Sequence, residues 1–328
     1  MAPWPGHGAR RRTLALAVAV ALLALFPATG LAFYVELITK VMILAIFAMS
    51  LDLLVGCTGM VSLGHAAYFG IGAYVLALGA PRYQPSSLWL TLPAAVATAA
   101  LAAFLVGALV VRVKSIYFIM ATLAFAQMFY FLFHDTEFGR GSDGIAMNFR
   151  PAAHLGGLEP FDLARPVHAY YFVLLAMLLV LAFLRRLRRS PFGRALRGIR
   201  ANEQRMRSLG FPTYRYKLAS FTIAGAIAGL AGYLSAMQYG FVSPELLSWH
   251  QSGNVLLMVI MGGPGSFHGA MAGAFAFALL QEVYQSVTTH WQLPLGVTII
   301  LLVLFVPGGL SSLRGRFLTA LLGGPADD

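Results

Sequence analysis

The stretch Phe172-Val-Leu-Leu-Ala-Met-Leu-Leu-Val-Leu-Ala-Phe-Leu184 is apolar on every side, and so is Leu14–Leu25. Strands of a membrane barrel alternate in and out with a period of two, and a surface helix carries a polar stripe. These stretches show neither pattern. Lipid offers no hydrogen bonds, so a crossing segment must satisfy its own N–H and C=O groups, and an all-round apolar run does so as a helix. Further apolar runs recur along the chain, and they approach the roughly 20 residues that span a bilayer.

Composition agrees. Of 328 residues 59% are hydrophobic and only 11% charged, with a mean hydropathy of +0.76. A soluble domain carries about 25% charged residues, so this chain lacks the polar surface to face water. Its net charge of +11 would suggest nucleic acid in a soluble protein, but the charges are distributed in another way. Cys57 is the only cysteine, which excludes an internal disulfide and reads as a small buried apolar residue.

An all-α integral membrane fold is expected, with about ten spans near 14–34, 37–55, 61–80, 88–111, 115–133, 168–184, 218–239, 251–262, 269–288 and 293–310. Very short Gly-containing turns separate the second span from the third and the eighth from the ninth. Some of these four are therefore candidates for broken or re-entrant helices, and Gln251–Gly262 is too short to cross unaided. The first span has an alternative. Arg10–Arg12, an apolar stretch and Pro27 resemble a secretory signal peptide within residues 1–32. Either way the following segment enters from the outer side.

Orientation follows from Lys and Arg. With the N-terminus inside, the inner segments receive Arg10–Arg12, Arg112, Lys114, all the basic residues of 185–217, Arg314 and Arg316. Only Lys40, Arg82, Arg140, Arg150 and Arg165 of the 23 fall outside. The chain thus reads as one polytopic membrane unit, 14–310, between cytoplasmic ends 1–13 and 311–328. It has an outer loop at 134–167 and an inner loop at 185–217. Ten spans divide into two groups of five, which would run in opposite directions as inverted repeats. A faint echo is Gly59, Ser62 and Leu63 beside Gly263, Ser266 and Phe267, at equal spacing.

The inner loop carries the strongest local signal, Ser190-Pro-Phe-Gly-Arg-Ala-Leu-Arg-Gly-Ile-Arg-Ala-Asn-Glu-Gln-Arg-Met-Arg-Ser-Leu-Gly-Phe-Pro212. Ser190 suits an N-cap and Pro191 the first helical position, while Gly210 and Pro212 stop the helix. Phe192, Leu196, Ile199, Met206 and Leu209 fall near one face, with arginines around the rest. A short amphipathic helix on the cytoplasmic surface follows. One interpretation is a helix held by anionic lipid, at about 1 kcal/mol per basic residue. The other is a coupling element that docks on a cytosolic motor.

The loop resembles that of ABC importer permeases, in which a Glu precedes a Gly in a helix–turn–helix, here Glu203 and Gly210. Ser62-Leu-Gly-His-Ala-Ala-Tyr-Phe-Gly-Ile-Gly-Ala-Tyr74 is similar to a stretch of branched-chain amino acid permeases of the LivM type. So are Gly141-Ser-Asp-Gly144, Met261-Gly-Gly-Pro-Gly-Ser266 with Glu282 downstream, and Phe305-Val-Pro-Gly-Gly-Leu310. Phe138-Gly-Arg140 and Ser252-Gly253-Asn254 depart from the family pattern and leave the substrate open. The resemblance implies a permease for branched-chain or related hydrophobic amino acids. It further implies a second related permease, two cytosolic ATPases that hold the ATP, and a periplasmic binding protein. Arg197, Arg200, Glu203 and Gly210 would couple to the ATPases. Ser62, Gly64, His65, Gly70, Gly262, Gly263, Gly265 and Glu282 would line the substrate path or pack helices. Urea, short-amide or sugar permeases of the same architecture, or a passive channel, are the alternatives.

Small residues such as Gly59, Gly64, Gly70 and Gly72 let helix backbones approach, so packing alone also accounts for them. His65 reads more readily as a satisfied packing histidine. Asp52, His65 and Glu282 are ionisable groups in or near spans, where such residues are functional suspects. No Lys follows Met261-Gly-Gly-Pro-Gly-Ser266, so it is not a phosphate loop, and the histidines lack metal-ligand spacing. Neither an enzyme nor a bound cofactor is expected of this chain.

Overall fold

The computed structural model describes residues 21–80, 85–113, 115–147, 149–152, 162–163, 165–306 and 308–310. The N-terminal segment 1–13, the start of the first span (14–20), Lys114 and the tail 311–328 lie outside these residues. The helices are α1 (Ala32–Asp52), α2 (His65–Gly79), α3 (Leu88–Val110), α4 (Ile116–His134), α5 (Pro166–Arg189), α6 (Pro191–Ala201), α7 (Glu203–Ser208), α8 (Thr213–Tyr239), α9 (Trp249–Gly262), α10 (Phe267–Val287) and α11 (Gln292–Phe305).

Helix α1 is the axis of the bundle. Every residue from Val41 to Leu54 is buried, and α1 packs against α5, α8, α9 and α10. It continues into a wide π-helical turn, Leu53–Thr58, that ends at Gly59 in the left-handed conformation (φ 74°). Helix α8 is the second inner element, in contact with α2 and α3. This approach depends on missing side chains: a Cβ on Gly72 would overlap the Gly229 backbone, and one on Gly232 the Phe69 carbonyl. In lipid, where no hydrophobic force drives helices together, close backbone packing of this kind supplies the association. Helices α4 and α11 lie at the periphery. Their exposed Tyr117, Met120, Met128, Leu293, Val297 and Leu304 are the apolar surface a lipid-facing helix needs.

Among the described residues five helices are long and apolar enough to cross a bilayer. They are the 27-residue unit of α1 with its π turn, and α3, α4, α5 and α8. Helices α9 and α10 meet at a bend of 116° and make a sixth if counted together. The expectation of a broken element around 251–288 is met, with α9 starting at Trp249. Helices α2 and α11, of 15 and 14 residues, are shorter than the spans read at 61–80 and 293–310.

Between α4 and α5, Ile145–Ala146 (β1) pairs antiparallel with Phe241–Val242 (β2), which follows α8. Arg150 Nη2 donates to the Gln238 carbonyl at 3.2 Å, which ties the loop to the end of α8.

The 185–217 segment departs from a single amphipathic helix over 190–212. Ser190 caps α6 by accepting from the Gly193 N–H at 3.3 Å, and Pro191 opens it. The helix then breaks at Asn202 (φ −160°, ψ 99°), whose side chain accepts from the Arg205 N–H at 2.9 Å and starts α7. Asn is a strong N-cap, and here it outcompetes helix continuation. The break turns the apolar face. Leu196 and Ile199 are buried as read, but Leu209 is 66% exposed.

Gly72→Val or Gly232→Leu should force α2 and α8 apart, at about 1–3 kcal/mol for overpacking. Both variants should yield less monodisperse protein after detergent extraction than Gly253→Ala, where a Cβ meets nothing within 4 Å.

Candidate functional site

At the end of α1 two interrupted helices meet. Asp52 Oδ1 accepts from the Gly265 N–H at 2.7 Å, while Oδ2 is buried without a hydrogen-bond partner among the described residues. A Cβ on Gly56 would overlap both the Asp52 carboxylate and the Gly265 backbone. Gly263 and Gly265 hold φ of 95° and 93°, a region that L side chains avoid. The turn closes with Ser266 capping α10 through the Gly269 N–H at 3.2 Å. Gly262 seats against the Gly269 carbonyl, where a side chain would clash.

Helix α6 lies against this junction. Arg200 donates through Nη1 to the carbonyl of Gly56, and its stem passes Gly59. The inner loop therefore grips backbone exposed by the π turn. Arg197, on the same helix, is exposed.

Glu203 is committed within the chain. Its Oε1 accepts from Arg207 Nη2 at 2.6 Å and from Thr213 Oγ1 at 3.3 Å, and its Oε2 from Lys217 Nζ at 2.6 Å. Burial disfavours the charge, but Lys217 and Arg207 outweigh it and hold the carboxyl below the usual range. Gly210 takes φ 84°, as read from its place at the helix end, and the Phe211 N–H returns to the Met206 carbonyl. Helices α6, α7 and the start of α8 thus form one braced unit. Phe192 stacks on Tyr216 at 5.4 Å, and Tyr214 donates to the Ala108 carbonyl at 2.9 Å.

The second group surrounds the start of α2. Ser50 Oγ lies 2.6 Å from the Phe47 carbonyl and 2.8 Å from His65 Nε2. The hydroxyl has one proton, which goes to the carbonyl, so His65 Nε2 carries the hydrogen and donates to Ser50. His65 also stacks on Phe47 at 5.6 Å, the packing role that its sequence suggested. Ser62 Oγ accepts from the Gly64 N–H at 3.3 Å, Gly64 seats against the Thr122 carbonyl, and Gly70 against Leu247. The Ala66 N–H donates to Ser252 Oγ at 2.9 Å, linking α2 with α9. Glu282 stands apart on α10, partly buried.

The structure thus joins Arg200, Gly265 and Asp52, and separately His65, Ser62 and Gly64. Sequence singled out Asp52 only as a charge near a span. Its partner is 213 positions away, and only the equal spacing of the two glycine turns hinted at the meeting.

A family described as "Branched-chain amino acid transport system / permease component" matches residues 33–306. The high-affinity branched-chain amino acid transport system permease protein LivM of Escherichia coli K12 is 34% identical over 84% of this chain and 69% of its own length. The chain belongs to this permease family. LivM of Salmonella typhimurium is 33% identical over the same shares. LivH of Salmonella typhimurium is 24% identical over 80% of this chain and 88% of its own length. No solved structure matches. The chain is a transport permease subunit with membrane-spanning helices, as its motifs implied.

A carboxylate whose folded pKa is lowered stabilises the fold above its unfolded pKa and loses that contribution as pH falls through the folded value. Hydrogen exchange of 203–217 should accordingly rise, relative to the rest of the chain, as pH drops below about 4, the ordinary Glu range. Glu203→Gln should expose the same segment already at pH 7 and remove the pH response.

Proposed function

We propose that this chain is the membrane-embedded half of an ATP-driven importer for branched-chain or related hydrophobic amino acids. The observation that carries the reading is the bond from Arg200, on the inner loop, to the Gly56 carbonyl inside the helix break. A lipid-binding helix needs only charge at the surface. A helix that holds broken backbone in the bundle transmits displacement.

In this mechanism two ATPase subunits bind ATP and dock on α6–α7 and on the equivalent loop of a second, related permease. The chain itself performs no covalent chemistry and holds no cofactor. That relatives named LivM and LivH both align with this sequence supports a pair of such subunits. A periplasmic binding protein delivers substrate to the outer loop 134–167. Closure of the motors pushes the braced loop, Arg200 shifts the π turn, and the Asp52–Gly265 junction carries the shift to the α9–α10 bend. Glu203 serves here as an internal brace that keeps α7 on α8. The proposed topology has ten crossings with both ends inside. Its two inverted halves would meet where the Gly59 and Gly263 turns approach through Gly56 and Gly265.

Uptake of labelled leucine in cells expressing all partners tests the coupling. Arg200→Ala, Asp52→Ala and Gly210→Val should each lower ATP-dependent uptake at least tenfold at normal membrane abundance. Wild-type uptake in all three would leave only a lipid-binding loop. Downhill uptake by this chain alone, without ATP, would make it a channel. On a Cys57→Ser background, an impermeant thiol reagent applied to intact cells should label Ser142→Cys and not Ser208→Cys. The reverse pattern would invert the topology.

A further inference from the structure

Twelve residues before Asp52, about 18 Å along α1 at 1.5 Å per residue, lies a cavity of about 380 Å³. Ligand pockets occupy about 300–1,000 Å³ and combine apolar walls with a few placed polar groups. Lys40 lines this cavity together with Ser235, Tyr239, Ser243 and Gln251 as polar groups, and with apolar residues that include Ile43, Phe69 and Leu246. The wall thus comes from α1, α2, the end of α8, β2 and the segment after it, and α9.

Lys40 is the unusual member. It is half-buried on the central helix, and among the described residues it makes no ion pair and no side-chain hydrogen bond. Glu36 lies one turn earlier, at the spacing that favours a Glu–Lys pair. Glu36 is exposed and forms no ion pair with Lys40. An ammonium on a membrane helix is costly when nothing compensates it. Sequence placed Lys40 among the few basic residues of the outer side, away from the α6–α7 loop.

Resting on the amino-acid reading above, we propose that this cavity is a binding subsite for an α-amino acid with an aliphatic side chain. The Lys40 ammonium takes the carboxylate. Ser243 Oγ and Gln251 Oε1 accept hydrogen bonds from the substrate ammonium. Ile43, Phe69 and Leu246 enclose the side chain. Because Phe69 also packs on Phe47, which stacks on His65, an occupied cavity presses on the α2 start that Ser252 ties to α9.

The test uses the complete importer, with its partner permease, ATPases and binding protein, in proteoliposomes. It measures both leucine uptake and the ATP hydrolysis stimulated by leucine-loaded binding protein. Lys40→Met should lower uptake at least tenfold while stimulated hydrolysis stays within twofold, and Lys40→Arg should keep most of the uptake. Leu246→Ala, which enlarges the cavity, should raise phenylalanine uptake relative to valine by severalfold. Wild-type uptake in Lys40→Met would overturn the subsite, and so would equal loss of uptake and stimulated hydrolysis, the result of a docking or folding role. An unchanged phenylalanine-to-valine ratio in Leu246→Ala would remove the side-chain assignment. Failure of the wild-type complex to carry any amino acid would instead refute the substrate class.

Discussion

A helix interrupted inside a membrane leaves backbone groups that water cannot reach, and each one needs a partner from the protein. At the end of α1 those partners come from far along the chain. The Gly56 carbonyl takes the Arg200 guanidinium and the Gly265 N–H takes the Asp52 carboxylate. Glycine at 56 follows because a Cβ there would overlap the Asp52 carboxylate and the Gly265 backbone, and glycine at 265 because its φ of 93° is one that L side chains avoid. The broken α9–α10 element, the π turn and the inner loop are therefore one constraint seen from three sides.

The same constraint dictates how the inner loop is built. A guanidinium on a flexible loop would not hold a carbonyl in fixed register. Capping at Ser190 and Asn202, with Glu203 clamped between Arg207, Thr213 and Lys217, removes that freedom. Ion pairs with exposed partners contribute little each, but Lys217 and Glu203 are both mostly buried. Phe192 on Tyr216 and Tyr214 on α3 extend the brace to the bundle. A rigid loop in direct contact with a helix break can move it without first deforming the tightly packed interior.

Features decided by local chemistry were legible in the sequence. All-round apolarity at Phe172–Leu184 fixes a membrane helix, and Ser190, Pro191 and Gly210 act within a few residues of themselves. Asn202 was missed because its apolar neighbours keep helical spacing on both sides, so periodicity masks the cap. Leu209 was misplaced for the same reason. Glu203 looked like a free docking carboxylate, since its partner Lys217 follows 14 residues later across a turn. The meeting of Asp52 with Gly265 is tertiary, and the equal spacing of the two glycine turns hints at it without naming the partner. The family motifs were readable because glycine patterns record close backbone approach, although they do not say which helix approaches.

Lys40 and Asp52 lie twelve residues apart on α1, on either side of its buried stretch Val41–Leu51, and each is only partly compensated. Asp52 has one oxygen satisfied and one without a partner, while Lys40 has an open cavity before it. An unsatisfied buried polar atom costs about 1–3 kcal/mol, more when charged. A helix selected for stability alone would carry apolar residues at both positions, because replacing buried charge by well-packed side chains is often neutral or stabilising. The proposed transport cycle accounts for both, with a charged solute at Lys40 favouring one arrangement and displacement of Arg200 near Asp52 favouring another. A ligand shifts such an equilibrium only by its differential affinity for the two arrangements. The fully buried stretch Val41–Leu51 between the two charges is what would let an event at one end be felt at the other.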